Sequence, residues 1–348
     1  MLAADFDYDL PPGLIAQHPL ARRDDSRMMV VSRKDGRFFH ARFREFPDHM
    51  NPGDVLVLND TKVIPAKAWG RRGDASIEFL FIKEKAAGLW EVLCKPAKRV
   101  HFGDKIVFPA GLEAEVAGTG DEGRRTLQFP IIDVLGHLKS IGYAPLPPYI
   151  KRKKEDVKHR SGDLDRYQTI FAAKDGAIAA PTAGLHFTPE ILGEVRGKGV
   201  SVVEVTLDVG PATFQPVRME RLEDHRMLEE TYVVSEAAAA AIGAAKGEGR
   251  TVTAVGTTVV RALESAARRG ESGSGGIMAG RAATSIFIYP SFEFRVVDRL
   301  LTNFHLPKST LLMLVSAFAG RDLILAAYRE AVHEGYRFFS YGDCMLIV

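Results

Sequence analysis

Between residues 66 and 129 the chain falls into five short runs in which apolar and polar residues alternate: 76–82, 89–93, 105–108, 112–116 and 125–129. Successive side chains of a strand point to opposite faces, so a period of two buries one face and leaves the other in water. Gly-containing turns separate the runs and no helical pattern comes between them, which predicts a small antiparallel barrel or sandwich.

The rest of the chain has another texture. Two apolar runs, 28–31 and 55–59, are too short for independent helices and read as buried strands. After the Pro-rich crossing Tyr143-Ala-Pro-Leu-Pro-Pro-Tyr-Ile150, strands alternate with helices. Thr188 caps a helix with Pro189 at its first position and Ile191, Leu192 and Val195 as its apolar stripe, and a strand follows over 202–207. Ser235 caps an Ala-rich helix, and a strand at 251–255 turns through Gly256 into a helix over 257–269. A linker-like stretch at 271–280, a strand at 286–289 and helices at 309–319 and 322–333 complete the pattern of a layered α/β sheet. If the β-rich segment 66–149 interrupts that sheet domain, residues 1–65 and 150–348 associate across it. Three separate units fit the periodicity as well.

Composition excludes several classes. The 46 Lys and Arg against 44 Asp and Glu leave a net charge of +2, so a polyanion would have to be held by a local patch. The one strong basic run is Lys151-Arg152-Lys153-Lys154, followed by Lys158, His159 and Arg160, and it reads either as a solvated linker or as a nucleic-acid backbone site. Cys94 and Cys344 stand far apart with no histidine cluster, which argues against a zinc site or a disulfide framework. No apolar stretch is long enough for a membrane span, and the acidic start lacks the features of a signal peptide, so the expected location is the cytoplasm. The sequence holds no GxxxxGK[ST], HExxH or GxSxG motif and no EF-hand loop.

Five loops could carry chemistry. The small-residue stretch from Ala179 to Pro189 delivers His186 to a helix start, where free N–H groups suit an anion, though a tight structural turn would look the same. Gly256-Thr257-Thr258 with Arg261 could hold a carboxylate, a phosphate or a ribose hydroxyl, or merely cap its helix. Thr302-Asn303-Phe-His305-Leu-Pro-Lys308-Ser309 gathers polar, aromatic and basic side chains before a helix. Arg337-Phe-Phe-Ser-Tyr-Gly-Asp343 sets an acid among aromatic residues, as a base or as a buried turn-former. Asn59-Asp60 after the second buried strand is a ligand edge or an Asx-type turn.

These strings, in this order, resemble the S-adenosylmethionine:tRNA ribosyltransferase-isomerase family of queuosine biosynthesis nearly from end to end. The matching segments are Phe6-Asp-Tyr-Asp-Leu-Pro-Pro12 with Ile15-Ala-Gln17, Asn59-Asp-Thr-Lys-Val-Ile-Pro65, Tyr167-Gln168 and Ala180-Pro-Thr-Ala-Gly-Leu-His-Phe-Thr188. They continue with Val255-Gly-Thr-Thr258, the run from Thr302 to Phe318, and Tyr336-Arg-Phe-Phe-Ser-Tyr-Gly-Asp343. The resemblance implies an α/β layered sheet domain interrupted by a small antiparallel β-barrel. It implies transfer of the ribosyl part of S-adenosylmethionine to 7-aminomethyl-7-deazaguanine at the wobble position of a tRNA. Isomerisation gives epoxyqueuosine-tRNA, and adenine and methionine leave. S-adenosylmethionine is then a co-substrate, with no cofactor, no metal, no membrane and a monomeric chain.

A sulfonium acidifies the adjacent ribose C–H, so a positioned base can form an ylide-like carbanion that starts the rearrangement. On the matching motifs, the candidates for that base are His186, His305 and Asp343. Substrate-binding positions are Asn59, Asp60, Tyr167, Gln168, Pro181, Thr182, Gly184, Phe187, Gly256, Thr257, Thr258, Arg261, Asn303 and Lys308, and Lys151 to Lys154 would meet tRNA phosphates. Two departures stand out: Asp208 replaces the family's histidine in Thr-Leu-His-Val-Gly, and Leu228 replaces the second histidine of His-x-Met-His-x-Glu. Their joint loss suggests that the two positions touch or share a function. Two readings follow: a compensated local repacking that leaves activity intact, which the survival of every other motif favours, and a diverged paralogue that binds S-adenosylmethionine or RNA without this reaction. An RNA-binding or assembly protein without catalysis and an ordinary methyltransferase are the readings from other classes.

Overall fold

The computed structural model of the chain describes residues 1–152, 157–210, 219–270 and 276–348. β1 (Arg27–Val31) and β2 (Phe38–Arg42) pair antiparallel at one end of the larger sheet, while β3 (Val55–Asn59), buried along its whole length, runs near its middle. A short strand, β4 (Thr61–Val63), leads out of that sheet. It feeds β5 (Lys67–Arg72), β6 (Ala75–Ala86), β7 (Leu89–Lys95), β8 (Lys105–Val107), β9 (Glu113–Thr119) and β10 (Arg124–Gln128), which close into a barrel. α1 (Val134–Ile141) contributes Val134, Leu138 and Ile141 to the barrel core.

The chain returns through α2 (Val157–Arg166) and β11 (Lys174–Ala177), which pairs with β4. Then follow α3 (Pro189–Gly197), β12 (Ser201–Leu207), β13 (Glu230–Val234), α4 (Glu236–Gly247), β14 (Val252–Val255) and α5 (Thr257–Arg269). The last elements are β15 (Gly280–Thr284), β16 (Arg299–Asn303), α6 (Thr310–Ala319), α7 (Arg321–His333) and β17 (Cys344–Ile347). The larger sheet runs in the order β15-β13-β12-β3-β14-β16-β17-β1-β2. Its centre, β12-β3-β14-β16, is parallel, so four strands finish at one edge, where ligands of open α/β sheets bind. Among the described residues no single helix is long and apolar enough to cross a membrane.

The caps read from sequence are present. The hydroxyls of Thr188, Ser235 and Ser309 accept the backbone N–H of Ile191, Ala238 and Leu312. The expected strand at 286–289 is not there. The strand is β15, antiparallel on β13, and it ends where Thr284 Oγ1 accepts the N–H of Ile286 at 3.1 Å and meets Ser265 Oγ at 2.6 Å. A side chain that takes the next backbone donor competes with the ladder. Ile288 is buried and Ile286 and Phe287 half-buried against the core, which explains the apolar run without a strand.

The five alternating runs all lie in the barrel, whose inward residues include Ile77, Phe79, Phe81, Trp90, Val92, Ile106 and Leu127. β5 escapes the pattern because its buried positions are Ala68 and Gly70. They are small because β8 closes the barrel there: a Cβ at Gly70 would lie 2.6 Å from Ile106 Cγ2 and 3.1 Å from both Phe79 and Phe108. Where the chain enters and leaves the barrel the two passages pair, Tyr143 N–H donating to Lys67 C=O at 2.7 Å and Lys67 N–H to Tyr143 C=O at 3.2 Å. We propose residues 66–149 as an inserted domain and 1–65 with 150–348 as the domain that it interrupts.

Replacing Gly70 by Ala should overpack this seam and lower stability by about 1–3 kcal/mol. A shift of the urea midpoint to lower concentration, at unchanged m-value, is the expected result. An unshifted midpoint would mean that Ile106 and the two phenylalanines give way freely.

Candidate active site

A cleft, open to solvent, lies at the edge where the parallel strands end. Its walls come from segments far apart in sequence: Tyr149 and Tyr167, the Ala179–Ala183 loop, Gly256 to Thr258, Thr302 to Leu306, and Phe339 with Ser340. Of the positions expected to bind substrate, Tyr167, Pro181, Thr182, Gly256, Thr257, Thr258 and Asn303 line it, as does His305 among the expected bases. Thr302, Ser340 and Tyr149 also line it, the latter two joined at 2.7 Å through their hydroxyls. Thr302 and Ser340 stood inside motifs noted in the sequence, and Tyr149 in the Pro-rich crossing, but none carried a separate signal.

Asn303 ties these segments together. Its Oδ1 accepts from Thr182 Oγ1 at 2.8 Å, and its Nδ2 faces His186 Nε2 at 3.3 Å, Phe339 C=O at 3.3 Å and Asp343 C=O at 3.4 Å. On the other side of the imidazole, His186 Nδ1 lies 2.9 Å from Ser26 Oγ, which itself donates to Arg23 C=O at 3.1 Å. Ser26 has one proton and gives it to that carbonyl, so His186 donates from Nδ1 and accepts at Nε2. Burial, with Arg337 and Arg23 nearby, pushes its pKa down to about 3. His186 is a neutral strut behind the wall of the cleft.

His305 faces the cleft. Its Nε2 is 2.8 Å from Thr302 Oγ1, which can donate onward to Asn303 C=O at 3.4 Å. Among the described residues nothing hydrogen-bonds its Nδ1. With Nε2–H donating to Thr302, Nδ1 carries a free lone pair. Burial lowers this pKa to about 3 as well.

Several expected site residues lie behind the cleft. Asn59 accepts the N–H groups of Thr61 and Leu207 and donates to Leu207 C=O and Thr258 Oγ1, bridging β3 to β12 and to the start of α5. Asp60 accepts from Thr206 Oγ1 at 2.6 Å and pairs with Lys174 at 3.2 Å. Gln168 both donates to and accepts from the Val63 backbone, Gly184 leaves room for Phe171 and Thr169, and Phe187 packs on Phe43 and Phe46. Arg261, expected to hold a substrate carboxylate, is buried on Glu230 instead. Asp343, expected as a base, accepts the backbone N–H groups of Arg27 at 3.1 Å and Arg337 at 2.8 Å and is 2% exposed, so it is a turn-holding carboxylate. Lys308 pairs with Asp7 at 2.8 Å beside the mouth.

In the basic run, Lys151 is exposed, while Arg152 grips Asp163 through two bonds of 2.8 and 2.9 Å; Lys153 and Lys154 lie outside the described residues. Asp208 accepts from Thr61 Oγ1 at 2.9 Å, and burial, reinforced by Asp60 and Glu230 against the pull of Arg281, raises its pKa. Leu228 is exposed, and nothing in the described contacts explains the joint loss of the two familiar histidines. Among the described residues one group could gather metal ligands, Glu330 with His333 and Glu334 on α7, and none of its members lines the cleft.

The family model described as "Queuosine biosynthesis protein" matches residues 3–347. The S-adenosylmethionine:tRNA ribosyltransferase-isomerases of Moorella thermoacetica and Citrifermentans bemidjiense are each 49% identical to this chain, and that of Thermotoga maritima 48%, in each case over the whole of both chains. A crystal structure titled S-adenosylmethionine tRNA ribosyltransferase, from Thermotoga maritima, superposes with a TM-score of 0.55 at 39% identity, covering 99% of this chain and 100% of that one.

Both buried histidines bind fewer protons folded than unfolded between their lowered pKa of about 3 and the ordinary 6.5. Their contribution to stability is therefore complete above the upper value and is lost as pH falls through that window. Each should cost of order 2 kcal/mol by pH 5. Urea unfolding followed from pH 7 downward should show this loss, with a shallower fall in His186→Gln; equal slopes in variant and parent would mean that His186 is not held neutral.

Proposed function

The chain belongs to the queuosine biosynthesis protein family, and on that premise we propose that it is an S-adenosylmethionine:tRNA ribosyltransferase-isomerase. It transfers and isomerises the ribosyl moiety of S-adenosylmethionine onto 7-aminomethyl-7-deazaguanine at the tRNA wobble position. Adenine and methionine are released. The observation that best supports this is the convergence of the matching motifs on one cleft lined without a charged side chain.

Such a lining suits a sulfonium substrate. The positive sulfur acidifies the neighbouring ribose C–H, and weak screening in a partly closed cleft preserves that effect. His305 is the base in this reading. It alone of the three candidates lines the cleft with a lone pair unengaged, and its Nε2–H on Thr302 orients the ring. The burial that keeps His305 neutral also makes its imidazolium costly, so the proton must be passed on or returned within the same turnover.

The start of α5 supplies the carboxylate seat. No side chain caps this helix, Gly256 turns into it at a φ of 92°, a conformation that a side chain would strain, and its first residues Thr257 and Thr258 line the cleft. Thr257 and Thr258 add hydroxyls for ribose or carboxylate oxygens. Thr182, held by Asn303, lines the same cleft.

Incubation with S-adenosylmethionine and an anticodon stem-loop carrying 7-aminomethyl-7-deazaguanine should release adenine and methionine in equal amounts with a gain in RNA mass. His305→Ala should slow single turnover by at least ~10² while S-adenosylmethionine still binds. Binding of both substrates without release would overturn the assignment, and an unslowed His305→Ala would remove that residue from the role.

Lys151, Lys153 and Lys154 are proposed to meet RNA phosphates, with Arg152 held on Asp163 as their anchor. Changing the three lysines to glutamine should weaken RNA binding and reduce the salt slope by about 2 to 3. An unchanged slope refutes the contact.

A further inference from the structure

A second, smaller cavity, half open to solvent, lies beside the cleft and shares Ser340 with it. Its lining includes Arg22, Arg23, Ser26, Arg166, His186 and Tyr341. Arg22 is neutralised by Asp24, with bonds of 3.1 and 2.9 Å. Arg23 and Arg166 are not: among the described residues neither has a carboxylate within 4.0 Å. Their outer nitrogens are spread over main-chain carbonyls, Arg23 on Leu185 and Asp165, each at 3.1 Å, and Arg166 on Ala21 at 3.1 Å and Leu20 at 2.6 Å. These bonds fix both guanidinium groups in place without cancelling their charge.

Two donors at this cavity have no partner. Arg166 Nε is buried and unbonded, and so is the hydroxyl of Tyr341, a residue only 4% exposed. A buried donor without an acceptor is costly, and two like charges held close together repel, so an oxyanion here would relieve both penalties at once. Asp163 on α2, whose charge reaches Tyr341, is already gripped by Arg152.

We infer that this cavity is an oxyanion seat for a backbone phosphate of the RNA substrate, next to the nucleotide whose base enters the main cleft. The inference rests on the reading above of the cleft as the site of RNA modification. Position favours phosphate over the other anion at hand, the methionine carboxylate. His186, which lines this cavity, bonds across to Asn303 in the lining of the cleft that also holds the start of α5, and Tyr341 in this cavity feels the charge of Arg152 in the basic run.

The test measures two affinities in the full-length protein, for the anticodon stem-loop by fluorescence anisotropy across a salt series and for S-adenosylmethionine by calorimetry. Arg23→Gln and Arg166→Gln should each weaken RNA binding about tenfold and flatten the salt slope by about 1, with S-adenosylmethionine affinity unchanged. Arg166→Lys, which keeps the charge but loses the planar fork, should recover the slope. If a glutamine variant fails to fold, Tyr341→Phe removes only the unpartnered hydroxyl and should still weaken RNA binding several-fold. Loss of S-adenosylmethionine affinity with RNA binding intact would assign the seat to the carboxylate and overturn the inference, as would unchanged RNA affinity in Tyr341→Phe and in whichever arginine variants fold. Because each variant is compared with a parent whose adenine release is measured separately, failure here is distinct from failure of the proposed reaction.

Discussion

The side-chain amide of Asn303 holds three stretches of chain in register. It stands at the end of β16, accepts from Thr182 in the small-residue loop, donates toward His186 at the end of that loop, and reaches the carbonyls of Phe339 and Asp343 in the loop before β17. A carboxylate could not donate to an unprotonated imidazole nitrogen and two carbonyls, and an apolar side chain would leave all of them unsatisfied in a buried place. Asn59 does the equivalent at β3, replacing ladder bonds where β3 and β12 part. The cleft exists because parallel strands end together, and these two amides keep their diverging loops from collapsing into it.

Much of this was legible in the sequence, for a physical reason in each case. The barrel strands show themselves because one face is buried and one wet, which forces alternation in β6 and β7. The capped helices show themselves because an orphan N–H needs a hydroxyl at a fixed spacing. β5 does not, since its inward positions are Ala68 and Gly70, small to let Ile106 in, and smallness carries no period. The run at 286–289 misleads because apolar residues serve equally to cover a core without pairing.

The site was legible as strings and illegible as roles. Asp343 and Arg261 are chemically apt for catalysis or carboxylate binding, and only the fold reveals that the first is saturated by two backbone donors and the second by Glu230. Tyr149 and Ser340 line the cleft through a contact between residues 191 positions apart, which no local pattern encodes. The small cavity holding Arg23 and Arg166 was equally hidden, because its two arginines come from distant segments and meet only in space.

Charge is distributed here by depth. Asp60, Asp208, Glu230 and Arg261 sit beneath the edge of the sheet on protein partners, so the cleft above them is walled by apolar side chains, hydroxyls, an amide and the neutral imidazole of His305. A carboxylate in that wall would stabilise the sulfonium of the ground state and weaken its hold on the developing carbanion, since stabilising the charge before reaction does not help the step that uses it. Uncompensated positive charge is displaced instead to the neighbouring cavity, where Arg23 and Arg166 are braced by carbonyls. One side of the His186–Asn303 wall is thus suited to a cation that reacts and the other to an anion that is only held, and the wall can separate them because His186 stays unprotonated.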